Sequence, residues 1–371
     1  MTHLKPDGHR RPASSLPLRR RRGHALGPWQ NYEIAVLDCA PPAVGEVQVE
    51  VHSAGVTFVD ALIASGRHQV QVPLPFIPGN EVSGVVVALG AGVTCFATGD
   101  RIACVCVCVC ACVGVGGKYA ERTNVRETAA LRLPERMSFD EAAVFRGGFG
   151  CAHHALTQAA RLQPGETVLV LGAAGAVGLA AVQLAVAAAM AARVLVSASS
   201  EEKRRVALRA GTHAAIDTHA EDWRAQVRDW TEGRGLDVVV DPVGGAATER
   251  AFRALGLGGR LLSIGFASGT IPSLPVNLAL LKGASLIGIE LSKFEQRFQE
   301  LAAANDRALV TLYNRGSISA PLIAPPIAPS IAPSIPPPIA RRFAFKHFRD
   351  ALTLAATGQS AGSVVLQIKE P

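Results

Sequence analysis

A short apolar run followed by a glycine-rich turn constrains this chain more than any other segment. Thr167–Leu171 is followed by glycines at G-x-x-G-x-x-G spacing and then by an alanine-rich run typical of a buried helix. The first glycine permits a tight turn, the second lets a pyrophosphate approach the backbone, and the third lets the helix pack on the strand. The pattern predicts a βαβ unit that binds a dinucleotide, with a purely structural turn as the alternative. The predicted binding residues are Gly172, Ala173, Ala174, Gly175, Ala176, Val177 and Gly178.

The rest of the chain divides into two patterns. After residue 151, short apolar runs alternate with helical segments, which predicts parallel βαβ units in a doubly wound sheet. The predicted strands there cover residues 167–171, 193–197, 214–216, 236–240, 260–264 and 285–289. Before residue 150, short alternating runs broken by Gly and Pro predict a β-rich, largely antiparallel, barrel-like part. Near the C-terminus the pattern is helix-like over 343–356 and strand-like over 363–368. The expected fold class is α/β, and 371 residues suffice for two domains.

The positive charge is concentrated in one place. The chain has a formal net charge of +7, and residues 1–22 hold seven Lys or Arg against one Asp. The remainder is nearly neutral, which argues against a groove for nucleic acid. We expect a disordered tail, with an organelle transit peptide as the alternative reading of this Arg-rich start. No uninterrupted apolar run is long enough to span a membrane.

Two low-complexity stretches need separate interpretations. Five of the eight cysteines alternate with small residues, at Cys104, Cys106, Cys108, Cys110 and Cys112. Alternate residues of a strand lie ~6.6 Å apart on one face, too stiff to gather four thiolates around one ion. We interpret this tract as a low-complexity strand or loop, with metal or redox chemistry as the alternative. Residues 320–340 repeat Ile, Ala, Pro and Ser, which predicts an exposed extended loop or a proline-motif ligand for a partner domain.

The end of the second predicted strand bears on which dinucleotide binds. An acidic residue there would bond the ribose 2′-hydroxyl of NAD. This chain instead has Ser199 and Ser200, followed by Lys203. Hydroxyl groups and a cation suit a 2′-phosphate, so the sequence predicts NADPH. The alternative is that the basic residues only form a solvated helix face.

Taken in order, the motifs resemble the zinc-independent quinone oxidoreductase branch of the medium-chain dehydrogenase/reductase superfamily. The matching stretches are 54–60 (AGVTFVD), 73–84 (PLPFIPGNEVSG), 99–101 (GDR), 116–121 (GGKYAE), 162–178, 199–203 (SSEEK), 237–245 (DVVVDPVGG), 259–269 (GRLLSIGFASG) and 363–368. The resemblance implies a GroES-like catalytic domain interrupted by a Rossmann domain, with the active site between them. It predicts a tail or leader over 1–30, the catalytic domain over 31–150 and 296–371, and the NADP-binding domain over 151–295.

The resemblance also predicts that zinc is absent. Zinc enzymes of this superfamily carry a Cys and a Gly-His-Glu motif, where this chain has Thr57 and Gly79-Asn80-Glu81. Thr and Asn are poor zinc ligands. The four-cysteine lobe that holds structural zinc in such enzymes has no counterpart with suitable spacing. We therefore expect no metal site in this chain.

Without zinc, the resemblance implies hydride transfer from NADPH to a quinone or an α,β-unsaturated carbonyl. Thr57 is expected to hydrogen-bond the acceptor carbonyl and Asp60 to line the same pocket, although Asp60 can equally be a helix cap. The residues expected over the nicotinamide side are Gly265, Phe266 and Ala267. Relatives carry a Thr at the position of Gly148, where it would hold the nicotinamide amide.

Other interpretations stay open at this point. An enoyl-thioester reductase is an alternative enzyme, and a catalytically weak NADPH-binding sensor or structural protein is an alternative of another class. The resemblance implies a homodimer that pairs the edges of Rossmann sheets. The expected location is the cytoplasm, or an organelle if the N-terminus is a transit peptide.

Overall fold

The computed structural model describes residues 18–22, 26–68, 72, 74, 77–105, 117–187, 192–319 and 341–369. Most of the basic tail, the part of the cysteine tract beyond Val105, and the Pro-rich stretch 320–340 lie outside these residues. The predictions made for those stretches therefore stay predictions.

The described strands and helices follow the chain in this order. The strands are β1 (Leu18–Arg22), β2 (Glu33–Leu37), β3 (Glu46–Val56), β4 (Glu81–Leu89), β5 (Arg101–Val105), β6 (Arg122–Arg126), β7 (Ala130–Arg132), β8 (Thr167–Leu171), β9 (Arg193–Ala198), β10 (Ala214–Asp217), β11 (Leu236–Asp241), β12 (Leu255–Ser263), β13 (Ser285–Gly288), β14 (Arg342–Ala344) and β15 (Val364–Gln367). The helices are α1 (Phe58–Ala64), α2 (Phe139–Ala142), α3 (Phe145–His153), α4 (Ala176–Ala187), α5 (Glu201–Arg209), α6 (Trp223–Trp230), α7 (Ala246–Arg253), α8 (Asn277–Lys282), α9 (Leu291–Arg297), α10 (Gln299–Asn314) and α11 (Phe348–Thr357).

Six strands form a parallel sheet in the order β10-β9-β8-β11-β12-β13. Its central strands are buried on both faces, because successive apolar side chains point into two different hydrophobic cores. In β8, Val168 and Val170 join the core that includes α4, whereas Leu169 and Leu171 join the core that includes Trp223. Continuous burial of this kind is what a parallel sheet covered by helices on both faces requires.

The second large sheet has seven strands and is antiparallel except where β14 runs parallel to β15. Its order is β14-β15-β3-β4-β5-β7, with β6 also paired to β3. Strand β15, near the C-terminus, lies antiparallel to β3, so the end of the chain returns to the sheet formed by its beginning. The predicted α/β class, with one doubly wound parallel sheet and one β-rich part, is confirmed. The exact domain boundaries stay predictions.

Two local predictions differ from the structure in part. Residues 18–22 belong to the tail predicted to be disordered, yet they form β1, which pairs antiparallel with β2. Backbone hydrogen bonding to a strand edge does not depend on side-chain polarity, so a run of arginines does not prevent pairing. The helix predicted over 343–356 begins only at Phe348, because residues 342–344 pair with β15 as β14.

Within the described part of the chain, no helix is both long and apolar enough to cross a bilayer. The longest described helix, α10, has sixteen residues and carries three charged side chains, Glu300, Asp306 and Arg307.

The glycine turn offers a matched test of packing. A Cβ on Gly178 would lie 2.4 Å from the Gly172 carbonyl oxygen, whereas a Cβ on Gly175 would meet only that oxygen, at 3.4 Å. We predict that Gly178→Ala lowers the free energy of unfolding by about 1–3 kcal/mol through overpacking. Gly175→Ala should change it by less than about 0.5 kcal/mol. Urea unfolding of both variants measures the difference, and equal losses would contradict this account of the turn.

Candidate functional site

The glycine turn lies at the carboxyl end of β8 and leads directly into α4. Gly172 has a φ of +58°, a conformation that glycine adopts without strain. The first amides of a helix have no intrahelical acceptor and point towards whatever lies before the helix. Packing around Gly175 leaves that side of the turn open. The turn therefore fits a phosphate group of a dinucleotide.

Two further turns lie beside it, at the carboxyl ends of β11 and β12. The buried Asp241 carboxylate accepts hydrogen bonds from the amides of Val243 and Gly244 and from the Thr248 hydroxyl, which fixes the turn after β11. The amide of Ala267 donates to the Pro242 carbonyl, so the predicted segment 265–267 rests on this turn. Phe266 is 38% exposed. Sequence reasoning assigned no role to Asp241, whose part is to shape this edge of the crevice.

The residues predicted for a 2′-phosphate lie at the end of β9 and the start of α5. Ser199 and Ser200 are exposed, and Ser200 caps α5 by accepting the Lys203 amide at 3.3 Å. The Lys203 ammonium donates to the Gly358 carbonyl at 2.6 Å. Arg204 is bound instead to the Asp217 carboxylate at 2.9 Å. Within the described part, Lys203 has no carboxylate partner, so its charge is available to an anion.

Thr57 and Asp60 form a reciprocal cap at the start of α1. The Thr57 amide and hydroxyl both donate to the Asp60 carboxylate at 2.7 Å, and the Asp60 amide donates back to the Thr57 hydroxyl at 3.3 Å. This capping box holds the helix N-terminus. It also engages the one hydroxyl proton of Thr57 with Asp60.

Asp60 is only 1% exposed, and two residues from distant segments complete its surroundings. The Asn80 amide donates to Oδ1 at 2.8 Å, and the Tyr119 hydroxyl, which lies 3.4 Å from the Gly55 carbonyl oxygen, is near enough to the carboxylate to lower its pKa. Burial raises the Asp60 pKa to about 6, while the hydrogen bonds from Thr57, Tyr119 and Asn80 oppose that rise. Asp60 is thus a buried anchor that orders Thr57, Asn80 and Tyr119 around itself. Sequence reasoning missed the last two partners.

Glu81, the first residue of β4, has a contrasting environment. It is half-buried, and no described residue donates a hydrogen bond to its carboxyl group. Its oxygens occupy space that glycines leave free, because a Cβ on Gly147 would lie 2.0 Å from Oε1. Burial, and then the negative charge of Asp60, raise the Glu81 pKa to about 8, and Arg146 opposes the shift. The environment of Glu81 therefore favours its protonated, neutral form.

Helix α3 contacts α4, α9 and α10. Its buried Arg146 is paired with Asp306 of α10 at 3.0 Å and with Glu295 of α9 at 3.3 Å. Gly148 is buried against the start of α4, where a Cβ would lie 3.2 Å from the Ala176 carbonyl oxygen. The position at which relatives carry a Thr thus serves here as a close helix–helix contact. The loss of a contact to the nicotinamide amide at this position stays a prediction.

The glycine turn and strand β3 both contact the segment around residues 362–364. The Gly362 amide donates to the Ala174 carbonyl of the glycine turn at 2.7 Å. Strand β15 follows at once, with Val364 opposite Val56, the residue before Thr57. Residues 362–364 therefore bring the glycine turn and Thr57 near each other, although 115 positions separate Thr57 from Gly172 in the sequence.

The residues at the positions of zinc ligands do not fit zinc. The Thr57 hydroxyl and the Asn80 amide are neutral groups that both donate to Asp60, and neither is the thiolate or imidazole that zinc prefers. Among the residues that the structure describes, no group of three His, Cys, Asp or Glu side chains is arranged to hold a metal ion. Cys104 of the cysteine tract is buried in β5.

Comparisons with known proteins bear on this site. Two family models match: the alcohol dehydrogenase GroES-like domain over residues 43–135 and zinc-binding dehydrogenase over residues 176–306. The quinone oxidoreductase-like protein 2 homolog of Nematostella vectensis is 33% identical over 325 residues, covering 88% of this chain and 82% of that protein. Human quinone oxidoreductase is 31% identical over 264 residues, covering 71% and 77%. The crystal structure of Escherichia coli quinone oxidoreductase complexed with NADPH has a TM-score of 0.79 at 25% identity, covering 94% of this chain and 100% of that one.

The Glu81 pKa makes stability depend on pH in a definite direction. Its folded-state pKa lies above the ordinary value of 4.5, so the unfolded chain ionises first as the pH rises. Wild-type stability should fall between about pH 4.5 and pH 8 through this group. Glu81→Gln removes this ionisable group. The melting temperature of the variant should therefore rise relative to that of wild type as the pH increases from about 4.5 to about 8. Thermal melts from pH 4.5 to 9 test this. Glu202→Gln, at an exposed position, is the control, and a constant gap for Glu81→Gln would refute the assignment.

Proposed function

The chain belongs to the quinone oxidoreductase branch of the medium-chain dehydrogenase/reductase family, and on that premise we propose that it reduces quinones or α,β-unsaturated carbonyls with NADPH and without zinc. It is an oxidoreductase. The observation that carries the proposal is that the glycine turn and the polar cluster around Asp60 are brought near each other by residues 362–364.

The cofactor would lie along the carboxyl ends of the parallel strands. The glycine turn 172–178 would receive the pyrophosphate, and residues 265–267 would border the nicotinamide side. Ser199, Ser200 and Lys203 would hold the 2′-phosphate, since they offer hydroxyls and a cation without a carboxylate partner. The family's crystal structure with NADPH supports the same choice of cofactor. When bound, NADPH supplies a hydride, which is the difficult part of the chemistry.

The remaining work of the protein is to orient the acceptor and provide a proton. Asp60 would act as a positioning residue, because it is enclosed and holds Thr57 and Asn80 in place. The Asn80 amide has a second N–H that can polarise an acceptor oxygen. Burial and the negative charge of Asp60 raise the pKa of Glu81 to about 8, which favours its protonated form. We assign to Glu81 the proton that the reduced acceptor takes up.

Zinc independence rests on the donor set. Both side chains at the ligand positions donate to Asp60, and a neutral hydroxyl or amide is a much poorer zinc ligand than Cys or His. One observation favours the second candidate, a catalytically weak NADPH-binding protein. The hydroxyl proton of Thr57 is engaged with Asp60, so Thr57 does not offer it to a substrate carbonyl.

A homodimer is the assembly that we propose. Strand β13 is the last strand of the parallel sheet, so one of its edges is unpaired within the described residues. Several large apolar side chains near it are more than half exposed: Leu257, Ile271, Val276, Leu280, Leu281 and Leu286. An open edge flanked by apolar surface suits pairing with a second copy around a twofold axis.

The cellular compartment stays the prediction made from sequence: the cytoplasm, or an organelle if the N-terminus is a transit peptide.

Turnover and cofactor preference test the proposed function together. Wild type should oxidise NADPH faster than NADH with a panel of quinones and enones, and a chelator should leave the rate unchanged. Ser200→Asp combined with Lys203→Ala should lower the NADPH/NADH preference at least about tenfold, since a carboxylate repels the 2′-phosphate. Arg205→Ala removes a cation already paired with Glu201 and serves as the control. Binding of NADPH without turnover of any acceptor would support the weak-binding candidate instead.

The dimer is tested by its mass in solution. Wild type should run as a dimer by light scattering. Leu280→Glu combined with Leu286→Lys should convert it to a monomer, because charges would then be buried in the interface. Leu208→Glu, on an exposed face of α5, should leave the mass unchanged. A monomeric wild type would refute the proposed assembly.

A further inference from the structure

The β1–β2 ribbon, formed by strands β1 and β2, places a basic strand beside a strand with exposed apolar residues. Residues 19–22 are four consecutive arginines in β1. In the antiparallel register, Arg19 lies opposite Val36 and Arg21 lies opposite Ile34. Basic and apolar positions are therefore direct neighbours in this ribbon.

One face of β2 is both apolar and exposed. Ile34 and Val36 are two positions apart, so they share a face of the strand, and they are 41% and 59% exposed. Ala35 and Leu37, on the other face, are half-buried. The solvent face of an antiparallel strand normally carries polar side chains. These two residues thus leave aliphatic surface in solvent next to a strand of positive charge.

The ribbon has a fixed attachment to the rest of the fold. The Gly27 amide and the Tyr32 hydroxyl both donate to the Ala64 carbonyl at the end of α1, at 2.9 and 3.0 Å. The Arg349 guanidinium of α11 donates to the Tyr32 carbonyl at 2.6 Å. Strand β2 begins at the next residue, Glu33. The ribbon is therefore held in place at its root and can act as a surface of the folded protein.

Charge and apolarity together narrow the kind of partner that this surface fits. Residues 1–22 hold seven Lys or Arg against one Asp, so charge complementarity favours an anionic partner. A nucleic acid offers phosphates and flat bases, which bind cations and aromatic rings but gain nothing from Ile or Val side chains. An anionic lipid bilayer offers charged headgroups together with an apolar boundary that buries aliphatic side chains. The bilayer matches both properties of the ribbon.

We propose that the β1–β2 ribbon docks the protein on the surface of an anionic lipid bilayer, with residues 19–22 against the headgroups and with Ile34 and Val36 at the acyl boundary. Stable attachment of this kind takes two contributions, because salt screens the charge and two aliphatic side chains bury little area. Binding therefore depends on both the charge and the apolar pair. The inference goes beyond the proposed function and does not depend on it.

Co-sedimentation of the full chain with lipid vesicles tests the proposal. Vesicles that mix phosphatidylcholine with phosphatidylserine should bind the wild type, and vesicles of phosphatidylcholine alone should bind it at least about tenfold more weakly, since they lack the negative surface potential. Raising the salt concentration from about 0.1 M to about 1 M should release the protein, because the Debye length falls from about 10 Å to about 3 Å.

Two pairs of substitutions separate the two contributions. Ile34→Ser combined with Val36→Ser removes aliphatic surface and keeps every charge, whereas Arg19→Gln combined with Arg21→Gln removes charge. Each pair should weaken binding to the mixed vesicles by about tenfold or more. The Ile34/Val36 pair should melt at the wild-type temperature and oxidise NADPH at the wild-type rate, because both side chains are exposed and lie away from the site.

Matched controls change charge or apolar surface elsewhere. Arg228→Gln combined with Arg234→Gln removes two exposed positive charges in and after α6, so it lowers the net charge by the same amount. Leu208→Ser removes exposed aliphatic surface on α5. Both should bind the mixed vesicles as tightly as the wild type.

Three results would overturn the proposal. The first is equal binding to both kinds of vesicle. The second is binding to mixed vesicles that the Ile34/Val36 pair leaves unchanged, together with equally tight binding of single-stranded DNA, which would indicate a general site for polyanions. The third is a chain that begins after Arg22 when the protein is isolated from its natural source and its N-terminus is sequenced, because such a chain lacks β1.

Discussion

The close approach of α4 to the end of β8 is the contact on which the cleft depends. It exists because Gly178 has no Cβ, which would otherwise lie 2.4 Å from the Gly172 carbonyl oxygen. Two other segments rest on the same turn. Gly148 of α3 packs against Ala176, and Gly362 donates to the Ala174 carbonyl. A shift of the turn would therefore displace α3 and the C-terminal loop together, so packing and cofactor binding constrain the same few residues.

Asp60 and Glu81 show how environment separates two carboxyl groups of similar chemistry. Asp60 is enclosed but receives hydrogen bonds from Thr57, Asn80 and Tyr119, which favour its charged form. Glu81 receives none from the described residues, and burial and then the charge of Asp60 favour its neutral form. The hydrogen-bonded group therefore holds its neighbours in place, while the protonated form of the other is favoured, as the proposed proton donor requires. The assignment of anchor and acid follows from these contacts rather than from residue type.

The sequence predicted the parallel sheet well because its signals are local. Fully buried runs such as Thr167–Leu171, and glycines with a backbone requirement such as Gly172, can be recognised without knowledge of their partners. The surroundings of Asp60 could not be predicted in this way. Asn80 and Tyr119 lie in separate segments that only the tertiary fold brings to one carboxylate. The family motifs contain both residues but do not indicate which side chain each one contacts.

The same limit applies to the choice of cofactor. The short segment from Ser199 to Lys203 predicts a 2′-phosphate site from residue types alone, but the position of the Lys203 ammonium depends on a carbonyl 155 residues further along the chain. That carbonyl belongs to Gly358, which ends α11 in a left-handed conformation with φ of +61°. A helix C-terminus carries partial negative charge and attracts a cation, so α11 places the lysine at the edge of the groove. The proposed preference for a phosphorylated cofactor thus depends on two segments that lie far apart in the sequence. A motif in one of these segments describes only half of the proposed site.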